Sequence, residues 1–177
     1  MRNSEEVERV VNETIEVIKE RDVPLQSLTL AALLASLQQL GILTQGTVAT
    51  LAKYFSLRII AYMIYHKIVD MNKSVEENLM SAFKQYGFKD SEISINSKNG
   101  EVEIDIVTAK CKLCPKGVGG AELEGNACPV PYLVSYALTA MEGKTWKPEL
   151  IKNGSSAKLT VVSKTGGICR MKIKRTE

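Results

Sequence analysis

Ile93-Ser94-Ile95-Asn96-Ser97-Lys98-Asn99-Gly100-Glu101-Val102-Glu103-Ile104-Asp105-Ile106 is the stretch on which the fold turns. Apolar residues alternate with polar ones on both sides of Asn99-Gly100, and an Asn-Gly pair between alternating runs is a strong hairpin signal. The hairpin has one dry face, carrying Ile93, Ile95, Val102, Ile104 and Ile106, and one wet face. Upstream of Gly87 the period is helical instead. A first helix is predicted from Ser4 to about Arg21, capped by Asn3 with Glu6 completing the box, and striped by Val7, Val10, Val11, Ile15 and Ile18. Pro24 opens a second helix and Gly41 ends it. Its leucines (Leu28, Leu30, Leu33, Leu34, Leu37, Leu40) leave little polar surface, so burial is predicted. A third helix is expected over residues 47–70. A fourth starts at the capping box Ser74-x-x-Glu77 and stops at Gly87, with Val75, Leu79 and Phe83 on its apolar face.

Downstream of the hairpin come a glycine-rich loop and a fifth helix from Pro131 to near Gly143. A short strand is expected over residues 146–151. Residues 158–162 and 168–174 read as a final hairpin around Thr165-Gly166-Gly167. This order predicts an α+β protein: N-terminal helices packed on an antiparallel sheet, with a further helix between two hairpins. It also predicts a single domain over residues 1–177, with residues 1–88 helical and residues 89–177 forming the sheet part.

Bulk properties narrow the function. The chain is 45% hydrophobic and 24% charged, with a formal charge of +3, too small to argue for nucleic acid. Arg170, Lys172, Lys174 and Arg175 alternate with apolar residues on the last strand and read as its wet face, and there is no helix-turn-helix signal. Gly117-Val118-Gly119-Gly120 lacks the Lys-Ser/Thr of a phosphate loop. The N-terminus has no secretory apolar segment, and the apolar stretch from Val48 to Met71 is broken by Lys53, Arg58 and His66. A cytoplasmic protein with no membrane span is the expectation.

The chemistry gathers at four cysteines. Cys111 and Cys114 form a C-x₂-C step, Cys128 precedes the fifth helix, and Cys169 begins the last strand. In a reducing compartment such a set favours metal over disulfides, and a closed four-thiolate site suits one structural zinc. Cys111, Cys128 and Cys169 lie at element ends, where one sheet edge could bring them together. Two other readings stand beside zinc. An iron–sulfur cluster also uses four thiolates, although the spacing matches neither ferredoxin pattern. A redox thiol would draw on Lys110, Lys112 and Lys116 to stabilise a thiolate at Cys111 or Cys114.

Cys128-Pro129-Val130, the helix ending at Gly143, and Gly167-Ile168-Cys169-Arg170-Met171-Lys172-Ile173 resemble the C-terminal half of the 4-vinyl-reductase-like domain. That hydrocarbon-binding family is related in fold to the TRAPP-type small subunits of vesicle-tethering complexes. The resemblance implies a pocket for a small apolar molecule among the long helix, the fifth helix and the inner sheet face, and often a dimer. Phe55, Tyr62 and Tyr136 would line it, with Arg58 or His66 as a polar anchor. Helical spacing alone also places Tyr54, Arg58, Tyr62 and His66 on one side, without any ligand. Where many members carry a further cysteine before the final turn, this chain has Ser163, Lys164 and Thr165.

The leading expectation is therefore a binding or sensor domain for a small hydrophobic molecule, stapled by a structural Cys₄ zinc site. The apolar helices around residues 28–40 and 49–63 further predict a homodimer. The alternatives are an enzyme (a tetrapyrrole vinyl reductase or a thiol oxidoreductase) and a dimeric structural adaptor. No catalytic pair is evident, and His66 is the single histidine.

Overall fold

In the computed structural model, which describes residues 4–122, 127–152 and 159–176, four helices precede the sheet. They are α1 (Ser4–Arg21), α2 (Leu25–Gln39), α3 (Gln45–Tyr65) and α4 (Val75–Gln85). Local chemistry sets their starts. Pro24 is the N-cap of α2, Thr44 Oγ1 accepts the Thr47 N–H at the head of α3, and Ser74 and Glu77 form the reciprocal box of α4. The cap expected for α1 falls on Asn3, outside the described residues. Helix α3 stops short of residue 70, because Lys67 turns left-handed at φ 58° and the Ile68 N–H bonds back to the Met63 carbonyl.

The hairpin is β1 (Ile93–Lys98) and β2 (Glu101–Val107), with Asn99 and Gly100 both left-handed, at φ 53° and 75°. Central to the sheet is β7 (Ile168–Arg175): one edge pairs with β2, and the other is shared by β3 (Trp146–Pro148) and β6 (Ser163–Thr165). Every pairing is antiparallel, so the α+β class read from the sequence is the class observed. Facing inward, Val102, Ile104 and Ile106 stand opposite Ile173, Met171 and Cys169. On the outer face Lys172 Nζ lies 3.0 Å from both Glu101 and Glu103, and Arg170 donates to Asp105. The basic tail is thus the cationic side of a cross-strand charge ladder.

Two assignments change. The strand entering the last turn is Ser163–Thr165, since Gly166-Gly167 makes a tight turn with both residues at positive φ. Leu159–Thr160 (β5) pairs instead with Ile151–Lys152 (β4), off the main sheet. Helix α5 (Val130–Glu142) is capped by Pro129 and closed by left-handed Gly143, and it packs against α3 and the sheet. The core lies between these layers, with Ile60, Met63, Leu79, Phe83, Val134 and Leu138 against the inner strand residues.

Burial of α2 is overturned. Only Ser27, Ala31, Leu34 and Ala35 are buried, while Leu33 and Leu40 are exposed and Leu25 is 76% exposed. The helix docks through its small residues, which let it approach the glycine loop closely. A Cβ on Gly119 would overlap the Ala31 carbonyl, a backbone atom that has no room to give. Gly119→Ala should therefore cost about 3 kcal/mol, the upper end of overpacking penalties. A urea titration with an unchanged midpoint would show that this docking is looser than drawn.

Candidate metal centre

The chain leaves β2 through a 3₁₀ turn (Thr108–Lys110) and delivers Cys111 at its end. Cys114 follows in the same turn, Cys128 comes just before α5, and Cys169 faces inward from the second position of β7. Three segments distant in sequence thus bring all four cysteines to one cavity of about 40 Å³, lined also by Ile106, Pro115, Val162 and Met171. All four are free thiols, Cys111 and Cys169 buried and Cys114 and Cys128 half-buried. Among the described residues, no three His, Cys, Asp or Glu side chains are drawn to metal-coordination geometry.

Each sulfur has a hydrogen-bonding neighbour. The Leu113 N–H donates to Cys111 and the Val130 N–H to Cys128. The Gly117 N–H lies 3.3 Å from Cys114 Sγ, and Thr108 Oγ1 is 3.3 Å from Cys169 Sγ. A thiol is a weak acceptor and a thiolate a strong one, so three backbone N–H groups aimed at sulfur suit ligands of a soft cation. Without a cation the balance runs the other way. Burial, with Cys114 close by, pushes the Cys111 thiol up to about 12, and burial beside Cys111 pushes the Cys128 thiol well up. A bound cation would reverse that sign.

The lysines expected to activate a thiolate are mostly engaged elsewhere. Lys110 Nζ donates to the Glu20 carbonyl. Lys112 is 0% exposed; its ammonium sits 3.0 Å from Glu92, donates to the Arg21 carbonyl and lies over the Phe88 ring. Arg21 in turn donates to the carbonyls of Thr108 and Cys111. These side chains therefore clasp the end of α1 to the cysteine loop. Lys116, with Lys164 from β6, does line the cavity, where cationic groups would offset the charge of four thiolates. Sequence reading missed this clasp: Lys112 and Glu92 lie 20 residues apart, and only the folded turn joins them.

The pocket residues inferred from the family resemblance lie elsewhere. Phe55, Arg58, Tyr62 and His66 sit on the exposed side of α3, and Arg58 folds back to donate to the Tyr54 carbonyl. His66 packs at a tilt against Tyr62 and edge-on against Tyr65, with ring centroids 4.2 and 5.1 Å apart, and does not line the cysteine cavity. Tyr136 is half-buried on α5. An apolar crevice runs between α3, α4 and α5, lined by Ile59, Ile60, Met63, Phe83 and Val134 among others; none of the five inferred residues lines it, whereas Phe55 borders an outer groove with Leu25, Leu30 and Leu33. Their periodicity marked an outer helical face, which sequence cannot tell from a pocket wall. Helix α3 is also long and apolar enough, by length and composition, to cross a membrane.

Comparison with known proteins corrects the resemblance. A Methanocaldococcus jannaschii protein, the uncharacterized protein MJ1342, is 35% identical over 72 residues. The match covers 41% of this chain and 59% of that protein, so the chain spans about three-fifths of the relative's length. The family model that matches is not the 4-vinyl-reductase-like one. The motifs that suggested the latter, a proline-started helix and a glycine turn into a terminal strand, serve the geometry of an α+β sheet and are not specific to one family. The match runs over residues 41–175, from before α3 through β7 and across all four cysteines, and the chain belongs to the MJ0207 family.

Proposed function

We propose that this chain is a zinc-stapled binding domain that acts as a homodimer and performs no chemistry at its cysteines. One observation carries the metal: Cys111, Cys114, Cys128 and Cys169 ring a single cavity, each with a hydrogen-bonding neighbour at its sulfur. Four thiolates fill a tetrahedral ion's coordination and leave no open position, so the role is structural. A space of about 40 Å³ suits one ion, whereas an iron–sulfur cluster would require the loop to open. With Lys110 and Lys112 bonded to other groups, a redox thiol loses most of the charge that would activate it.

Support for the dimer comes from the helices. Leu51, Tyr54, Phe55, Tyr62 and Tyr65 form one exposed stripe along α3, with Tyr65 81% exposed. Leu25, Leu30, Leu33 and Phe55 border a groove beside it. At about 150–250 Å² per aromatic side chain, the four exposed rings alone offer on the order of 500 Å². Together with the leucines they approach the roughly 800 Å² per partner of a standard interface. A groove and projecting tyrosines on one helix face are also self-complementary: an antiparallel crossing would seat each tyrosine in the other copy's groove. Sedimentation at micromolar concentration should give twice the 19.5 kDa chain mass. Phe55→Glu with Tyr62→Glu should give folded monomers. A monomeric wild type that floats with neutral phosphatidylcholine vesicles would overturn the dimer in favour of a lipid surface.

A further inference from the structure

The N-terminal pair of helices leaves a cleft that none of this uses. Helices joined by a connection as short as residues 22–24 ordinarily pack antiparallel along their length. Here α1 and α2 do not. They meet near their corner, where Val17 and Leu28 pack against a small cluster of Val23, Ala31 and Val118. Beyond it lies a cleft of about 900 Å³, bordered from Val17 to Glu6 on α1, from Leu28 to Gln39 on α2, and by the glycine loop. Val10 lines this cleft and is exposed, and Val7, Val11 and Ile15 on the same helix are exposed as well. An amphipathic helix thus keeps much of its apolar side uncovered.

Shape and charge select the occupant. From Glu6 to Val17 the cleft follows roughly 16 Å of helix, or about three turns. Spread over that length, its volume gives a channel about 8 Å across, near the separation at which helix axes pack. A third helix laid there completes a bundle. Its sign follows from α1, which carries six glutamates against three basic residues in a chain whose net charge is +3. Along the cleft stand Glu6, Glu13 and Glu122 with Arg9 and Lys116, and Arg9 is bound to Glu13 at 2.9 Å. The α1 of a second copy would set glutamates against glutamates, and anionic lipid would meet the same repulsion. A cationic amphipathic helix satisfies both the apolar floor and the carboxylates of the rim.

We infer that the cleft between α1, α2 and the glycine loop docks a cationic amphipathic helix, about three turns long, of a partner protein. This rests on the reading of the chain as a binding domain and names the class of its partner. Apolar anchors at helical spacing on the incoming helix cover Val10, Leu28 and Val118, while its lysines or arginines face Glu6, Glu13 and Glu122.

The test uses the full chain with ¹³C-labelled methyl groups and three synthetic peptides as probes. One combines leucine with lysine in amphipathic helical order, the second replaces lysine with glutamate, and the third scrambles the leucine–lysine order. The first should bind and shift the methyls of Val10, Val17, Leu28 and Val118, and the glutamate peptide should shift none of them. Val10→Lys with Glu13→Lys should weaken binding at least about tenfold. The variant should stay folded, because both positions are exposed and lysine is a good helix former. Equal binding of the scrambled peptide, or shifts confined to Leu25 and Leu33 on the outer groove, would overturn the inference. So would loss of self-association in this variant, which would give the cleft to a second copy. Flotation with phosphatidylglycerol vesicles that the variant loses would give it to a lipid surface instead. If no peptide binds a protein that is dimeric and carries zinc, this inference alone falls. If none binds and the protein is also monomeric and metal-free, the binding-domain reading falls with it.

Discussion

Cys111→Ser should release the metal and destabilise the fold by on the order of 5 kcal/mol. Part of the binding energy of a structural zinc is folding energy, and Cys111 sits where β2 hands the chain to the loop. Purified wild-type protein should carry about one equivalent of zinc, as a four-thiolate site requires. A strong chelator should lower its melting temperature to near that of the variant. The chelator also separates coordination from packing, since Cys111 is part of the hydrophobic core. If the variant is destabilised but the wild type carries no metal and ignores the chelator, the cysteine is only a core residue, and the metal reading fails.

The second large effect belongs to Glu92, which is 7% exposed and holds Lys112 Nζ at 3.0 Å. Its carboxylate also accepts the Lys89 N–H. Glu92→Ala would leave the Lys112 ammonium buried with only the Arg21 carbonyl as an acceptor, at a cost of roughly 3–5 kcal/mol. Glu92→Leu combined with Lys112→Met should recover much of the loss, because a buried ion pair can often be replaced by apolar groups of similar volume. Urea denaturation of the three proteins decides it. Equal stability of Glu92→Ala and wild type would mean that water reaches the pair.

How much of this the sequence disclosed depended on the range of the interaction. Caps, turns and alternation act within a few residues, and they placed α4, the Asn99-Gly100 hairpin and the inward face of β7. The cysteines were legible as a set because chemistry, not fold, singles them out. What stayed hidden depends on partners across the chain. The leucines of α2 promised burial, yet the helix meets the glycine loop through Ala31, and of its leucines only Leu34 is buried, while Leu25 and Leu33 remain outside. The aromatics of α3 showed the same spacing whether they lined a pocket or faced outward. Lys112 looked like an activator beside a thiol, until the turn carried its ammonium to Glu92.

The clasp between α1 and the cysteine loop sets how this helix should open. Its first turns are exposed, whereas its last turn is held by Lys110 and Lys112 on its carbonyls and by Arg21 reaching across to the loop. Amide hydrogen exchange along α1 should therefore form a gradient, fast near Val7 and slow near Arg21, rather than a single cooperative step. The slow end depends on the loop that carries Cys111 and Cys114. Exchange of a few amides near residue 20 thus becomes a gauge of the state of the cysteine loop, at a helix that contributes no ligand to it.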